Sequence, residues 1–195
     1  MSRARLLVLV STSLVLPLIL TGCHKKEVAE LKALKAQLAT QQANLANFDD
    51  LDFNVFSGQK WNQLGKSHAA NIVVHWPDGH TTTGIERHIE DLKTLFVYAP
   101  DTHISEHPIK VASGEWTAVT GVFEGTFTQP MPIGDGNVIQ PTGKAFKMEM
   151  CTVGHWKDGV MDEEYLFWDN KAFMDQVGLG QAPAKPIDID FSNDK

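Results

Sequence analysis

Asp169 and His155 are the residues of this 195-residue sequence whose types and placement best suit acid–base chemistry. Asp169 follows the predicted strand Val160–Trp168. Alternation puts it on one face with Phe167, Tyr165 and Glu163, and leaves Trp168 opposite. A carboxylate set among aromatic side chains is desolvated, which raises its pKa toward the range useful for proton transfer. Such a group can take a proton from carbon next to a carbonyl and, once protonated, donate to the oxyanion. Asp169 also directly precedes a predicted helix, where its side chain can serve as the N-cap, and Asn170 can cap in its place. His155 comes just before a tight turn; facing inward it could orient Asp169 or polarise a carbonyl, facing outward it is an ordinary sheet-end residue. Trp76 suits a core or pocket wall, and His75 beside it offers a polar group to a cavity. With Tyr165 and Phe167 these two make up the candidate ligand-binding set.

Other chemistries find less support. Glu163 and Glu164 are adjacent, so a strand turns them to opposite faces, and Glu163 lies six residues from Asp169, about 20 Å along a strand. Neither pair has the spacing of a glycosidase dyad. His103 and His107 would sit about 13 Å apart on a strand, and His68, His75 and His80 lack a cysteine or His-Glu-x-x-His partner. These histidines read as scattered surface residues, and no metal site is expected. Cys151 falls mid-strand among Met148, Met150 and Val153 as a small core residue. No nucleophile elbow and no phosphate loop occurs.

The elements that must position these residues begin with an export signal. Arg3 and Arg5 precede an apolar stretch, Leu6 to Leu20, that is interrupted by Ser11, Thr12, Ser13 and Pro17. It falls short of the roughly 20 mostly apolar residues of a permanent span. Leu20-Thr21-Gly22-Cys23 resembles the lipobox of bacterial lipoproteins. That resemblance implies a signal peptide over residues 1–22, lipid on Cys23 and a membrane-anchored protein at the periplasmic face or cell exterior. His24, where inner-membrane retention favours aspartate, points to the outer membrane. Cleavage removes two arginines and no acid, so the formal net charge of −7 becomes −9. An acidic body without a basic run argues against nucleic-acid partners.

Residues 23–47 read as a lipidated helical tether, with Leu31, Leu34, Leu38 and Leu45 at helical spacing among Ala, Lys and Gln. A single folded domain is expected over residues 48–179 and a disordered acidic tail over residues 180–195. Phe48, Leu51, Asp52, Val55 and Phe56 suggest one helix, Gly58 to Leu64 a shorter one, and Asn71 to Trp76 a strand. Thr83 and Glu86 form a capping box before the face Ile85, Ile89, Leu92, Phe96, which Pro100 ends. Strands follow over His103–Ala112, Glu115–Thr128, Lys144–Trp156 and Val160–Trp168. The last two flank Asp158-Gly159, a hairpin signal, and a helix Asn170–Val177 closes the domain. Helices on one face of a curved antiparallel sheet make an α+β domain.

Several segments carry a resemblance. They are His75-Trp76-Pro77-Asp78-Gly79, Gly84-Ile85-Glu86, Gly121 to Phe127, Pro141-Thr142-Gly143-Lys144, Gly154 to Gly159, Glu163, Asp169 and Gln176 to Leu179. Together they resemble the SnoaL-like polyketide cyclase (ester cyclase) family, in the nuclear-transport-factor-two-like superfamily. The resemblance implies a cone-shaped sheet wrapped by N-terminal helices around an apolar pocket. It also implies an apolar small-molecule ligand, and ring closure by aldol chemistry without metal or cofactor. Asp169 aligns with the family's acid/base carboxylate and His155 with its histidine. Many members of the fold only bind small molecules, so a non-catalytic ligand-binding or sensor lipoprotein is the alternative. A homodimer through the open sheet face is a further possible partner arrangement.

Overall fold

A computed structural model describes the backbone of residues 16–180 and the side chains of residues 24–180. The cleavage and lipidation expected at residues 1–22 and Cys23, and the tail beyond residue 180, lie outside the described side chains.

Helix α1 runs from Leu16 to Asp50. Its Ala, Leu, Lys and Gln content favours the helix intrinsically. The chain divides into two compact units at Thr40/Gln41. In the first, Leu31, Leu34 and Leu38 are each more than half exposed. No helix among the described residues is long and apolar enough to cross a membrane. In the second unit the end of α1 buries Asn44 and Phe48 and passes into a π-helical turn, Leu51–Phe56. The helix expected over Phe48 to Phe56 is therefore two segments of different pitch. A 3-10 helix, Trp61–Lys66, follows.

Strands β1 (His68–His75) and β2 (Thr81–Thr83) lead to helix α2 (Ile85–Tyr98). The expected Thr83 capping box does not form. Gly84 is the N-cap, at φ 97°, with no side-chain cap bond. Gly84 N–H instead donates to Ile72 O, and only glycine takes this φ freely. The strand expected over His103–Ala112 is divided into β3 (His103–Ile104) and β4 (Lys110–Ser113). Pro108 lies between them, and proline cannot donate to a sheet ladder. Strand β5 (Trp116–Thr126) precedes a two-stranded hairpin of β6 (Met131–Pro132) and β7 (Val138–Ile139). Strands β8 (Ala145–Lys157) and β9 (Val160–Trp168) then form the predicted hairpin, with Asp158 and Gly159 both at positive φ, and α3 (Asn170–Gln176) closes the domain.

The main sheet has the order β2-β1-β9-β8-β5-β3, with β4 also on β5. Every pairing is antiparallel except β1 with β9. Its inner face carries Val119, Thr152, Trp156, Met161 and Leu166, packed against Phe48, Leu51, Val55 and Leu64. A second cluster, Ala99, Phe127, Phe146 and Val177, seats α3. This is the α+β arrangement, helices against a largely antiparallel sheet, that the sequence implies.

Candidate active site

The inner sheet face, the π-turn and α2 line a cavity of about 260 Å³. Much of its wall is apolar, including Phe56, Leu92, Phe123, Met148, Met150 and Leu166. Trp76, Tyr98 and Trp168 add aromatic surface, and burial pushes the Tyr98 hydroxyl up to about 12. Asp52, His68, His88 and Glu164 are buried in the same wall.

The β8–β9 register explains how Glu164 reaches the cavity. Glu163 pairs with His155, but the next pair is Met161 with Trp156, so Asp162 is an extra residue in β9. A bulge of this kind reverses the alternation beyond it. Met161 is fully buried, Asp162 and Glu163 both stay at the surface, and Glu164, Leu166 and Trp168 then point inward. The predicted inward face of β9 is corrected accordingly: Glu163, Tyr165 and Phe167 lie on the outer face.

Asp52 is held by a relay of side chains. His107 Nε2 lies 2.8 Å from Asp52 Oδ2, and His107 Nδ1 lies 2.7 Å from Asp49 Oδ1. Lys110 Nζ donates to Asp49 Oδ2 at 2.6 Å. Burial pushes the Asp52 carboxyl above its ordinary range, against the pull of His107. Burial alone would lower His107, but its bonds to Asp52 and Asp49 outweigh that and raise it. At Asp49 the bonds from Lys110 and His107 overcome desolvation and lower the carboxyl. The relay thus favours the ionised form of Asp49 and the protonated form of His107. Phe53, tilted by 31° at 4.4 Å from His107, and Phe48, edge-on at 5.7 Å, fix the imidazole between them.

The remaining polar groups meet from three elements. Glu164 Oε2 lies 3.3 Å from His88 Nε2 on α2 and 3.6 Å from His68 Nε2 at the start of β1. Burial drives His88 down to about 4, so its imidazole is neutral. One possible ligand atom from each of the three residues lies within 4.8 Å of the others. This is the group among the described residues with the residue types and spacing to hold a metal ion.

The sequence-based site residues are placed differently from expectation. Asp169 is exposed and caps α3, with Oδ1 accepting from Lys171 N at 2.8 Å and Ala172 N at 3.0 Å. His155 pairs with Asp162 at 2.6 Å, a bond that raises its pKa, and lies 3.5 Å from Glu115. Neither residue lines the cavity. His75 stacks on Tyr165 at 4.1 Å, and Glu163 Oε1 accepts from Tyr165 Oη and contacts His75 Nε2 at 2.9 Å. Trp116 lies 4.7 Å from His155 and 6.4 Å from Tyr165. Most of the predicted set is therefore brought together, but on the outer face of the sheet. Phe167, also on that face, is half exposed. Trp76 alone of the set lines the cavity, its indole donating to Thr82 Oγ1 at 2.9 Å.

Sequence reasoning passed over Asp52, His107, His68, His88 and Glu164. One signal was present for Asp52: it lies four residues from Phe48 and four from Phe56, a carboxylate on the apolar stripe of a helix. The dismissal of His68 as a surface residue is corrected, since its side chain is almost fully buried. His107 is freed from strand geometry by the break at Pro108.

Residues 51–177 match the family model described as SnoaL-like polyketide cyclase. No match was found among curated proteins. Among solved structures, the chain is similar to a SnoaL-like polyketide cyclase from Jannaschia sp. CCS1, with 18% identity and TM-score 0.61 over 70% of this chain and 92% of that one. It is similar to IdmH, a polyketide cyclase from Streptomyces antibioticus, with 22% identity and TM-score 0.59 over 69% and 98%. It is also similar to an NTF2-like protein from Burkholderia pseudomallei, with 13% identity and TM-score 0.56 over 70% and 98%.

Proposed function

The chain belongs to the SnoaL-like polyketide cyclase family, and on that premise we propose that its domain binds a small apolar carbonyl compound and uses Asp52 as a general base. The observation that carries this reading is the buried Asp52 carboxylate at the wall of an apolar cavity, backed by His107. Desolvation makes the carboxylate a stronger base than it is in water. Asp52 takes the proton from carbon next to the carbonyl, and the electron pair moves onto the carbonyl oxygen as an enolate. In a cyclase, the enolate carbon attacks a second carbonyl of the same molecule, and the Asp52 proton passes to the new alkoxide. In an isomerase, the proton returns to a different carbon. The cavity lies below the roughly 300–1,000 Å³ of ordinary ligand sites, which favours a compact compound over an extended polyketide.

Deuterium exchange tests the base without knowledge of the natural substrate. A panel of small apolar ketones and β-keto esters is incubated with the protein in heavy water, and loss of the proton signal next to the carbonyl is followed by NMR. Wild type accelerates exchange for at least one compound that fits, and Asp52→Asn lowers that rate by about 10²–10⁴-fold while the fold is kept. Exchange unaffected by Asp52→Asn would overturn the assignment.

The lipobox-like Leu20-Thr21-Gly22-Cys23 supports a second reading, a lipid-anchored carrier or sensor outside the cytoplasm that holds its ligand unchanged. That reading expects an apolar compound to co-purify, visible by native mass spectrometry, with no exchange activity. The outer sheet face, with Val111, Trp116 and Phe167 exposed, is where a second copy would pack.

A further inference from the structure

We propose that His68, His88 and Glu164 form a site for one divalent transition-metal ion, Zn²⁺ by its ligand set, with an open position toward the pocket. The inference concerns the same pocket but does not depend on Asp52 acting as the base. Two buried polar atoms that face each other here, His68 Nε2 and Glu164 Oε2, have no hydrogen-bond partner, and His88 is unpartnered at Nδ1, the ring nitrogen other than the one nearest Glu164. Buried polar groups in folded proteins are satisfied in the great majority of cases, so the facing pair points to an occupant between them.

Ser67 Oγ lies 2.9 Å from His68 Nδ1 and 3.1 Å from Leu64 O, so one ring nitrogen of His68 has a partner while Nε2 has none. Nε2 faces Glu164 Oε2 at 3.6 Å, too far for a direct hydrogen bond. In the tautomer with its hydrogen on Nδ1, donating to Ser67 Oγ, His68 Nε2 offers a lone pair to a cation held between the ring and the carboxylate. A hydrogen bond from the far ring nitrogen is also the arrangement that orients metal-bound imidazoles.

The two edges to Glu164 fit a tetrahedral ion. Metal–ligand bonds of about 2.0–2.1 Å place tetrahedral ligand atoms about 3.3–3.4 Å apart. The two edges to Glu164 measure 3.3 and 3.6 Å, and all three ligand atoms lie within 4.8 Å of one another. Two histidines and a glutamate are a known catalytic zinc set, with water or substrate in the fourth position. All three residues line the cavity, so the open position faces bound ligand, where the ion would polarise a carbonyl oxygen. The outer histidines have separate carboxylate partners, His75 with Glu163 and His155 with Asp162, and offer no comparable cluster.

The full chain, stripped with chelator, is titrated with Zn²⁺ by calorimetry and with Co²⁺ by visible spectroscopy. One ion per chain and the intense bands of four-coordinate Co²⁺ are expected. Glu164→Gln and His88→Phe should each weaken Zn²⁺ binding by at least about 100-fold, whereas His75→Phe should leave it unchanged. No binding at millimolar Zn²⁺, the weak spectrum of six-coordinate Co²⁺, or unaltered affinity in the Glu164 and His88 variants would overturn the site. If both variants fail to fold, the wild-type Co²⁺ spectrum decides by the same criterion. Metal binding without Asp52-dependent exchange would sink the base and keep the metal; Asp52-dependent exchange in protein that binds no metal would do the reverse.

Discussion

Replacing Asp169 by alanine removes a carboxylate that accepts two backbone N–H groups at the start of α3. These donors have no partner within the helix, and loss of such a cap costs about 1 kcal/mol, within a range of about 0.5–2. The site is exposed, so water satisfies part of what is lost and the lower half of that range applies. For a domain of this size that corresponds to a fall in Tm of roughly 2–4 °C. Asparagine caps almost as well as aspartate, so Asp169→Asn should melt within about 1 °C of wild type. Differential scanning calorimetry measures the stability change, and deuterium exchange measures any effect on chemistry. The cap reading expects alanine to lower Tm and both variants to keep wild-type exchange. A large loss of exchange in Asp169→Asn with unchanged Tm would refute it and restore Asp169 as the base.

Two further outcomes are expected. Gly125→Ala places a Cβ 2.8 Å from Phe146 Cζ and 3.1 Å from Thr102 Cα, both in packed core, and should cost about 1–3 kcal/mol by denaturant titration. His107 has a folded pKa above its unfolded one, so the stability it contributes is complete below about pH 6.5 and is lost as pH rises through the higher folded value. Asp49 has the opposite sign, contributing above about pH 3.9 and losing its share as pH falls through its depressed value. NMR titration of the imidazole should therefore show His107 ionising above the ordinary histidine range, with Asp49→Asn moving it downward. A midpoint that Asp49→Asn leaves in place would contradict the relay.

The order of elements was largely legible, because helix and strand periods are local. Val160–Trp168 and the Asp158-Gly159 hairpin fall where the pattern puts them. The opposed faces of Glu163 and Glu164 also follow from strand alternation. Which of the two looks inward did not follow, since a period of two carried on from Met161 selects Glu163, Tyr165, Phe167 and Asp169. The extra residue Asp162 reverses that choice, and a bulge is a property of two paired strands rather than of one. The buried groups come from β1, α2, β9, the π-turn and the segment around Pro108, and no spacing rule links positions that far apart. His107 was misjudged for a simpler reason: four residues span about 13 Å only where the strand is continuous.

The bulge in β9 also makes the pairing of the strand, as distinct from residue identity, a determinant of what the pocket contains. A strand of the same length paired regularly from Met161, without the bulge, would turn over beyond that point, exchanging a glutamate, a leucine and a tryptophan for a glutamate, a tyrosine and a phenylalanine. An acid would face the ligand in either register, but against different neighbours and without the two imidazoles positioned to meet it. A relative of equal length that pairs this strand without the bulge could thus share nearly every side chain with this protein and still present a different interior to the same molecule.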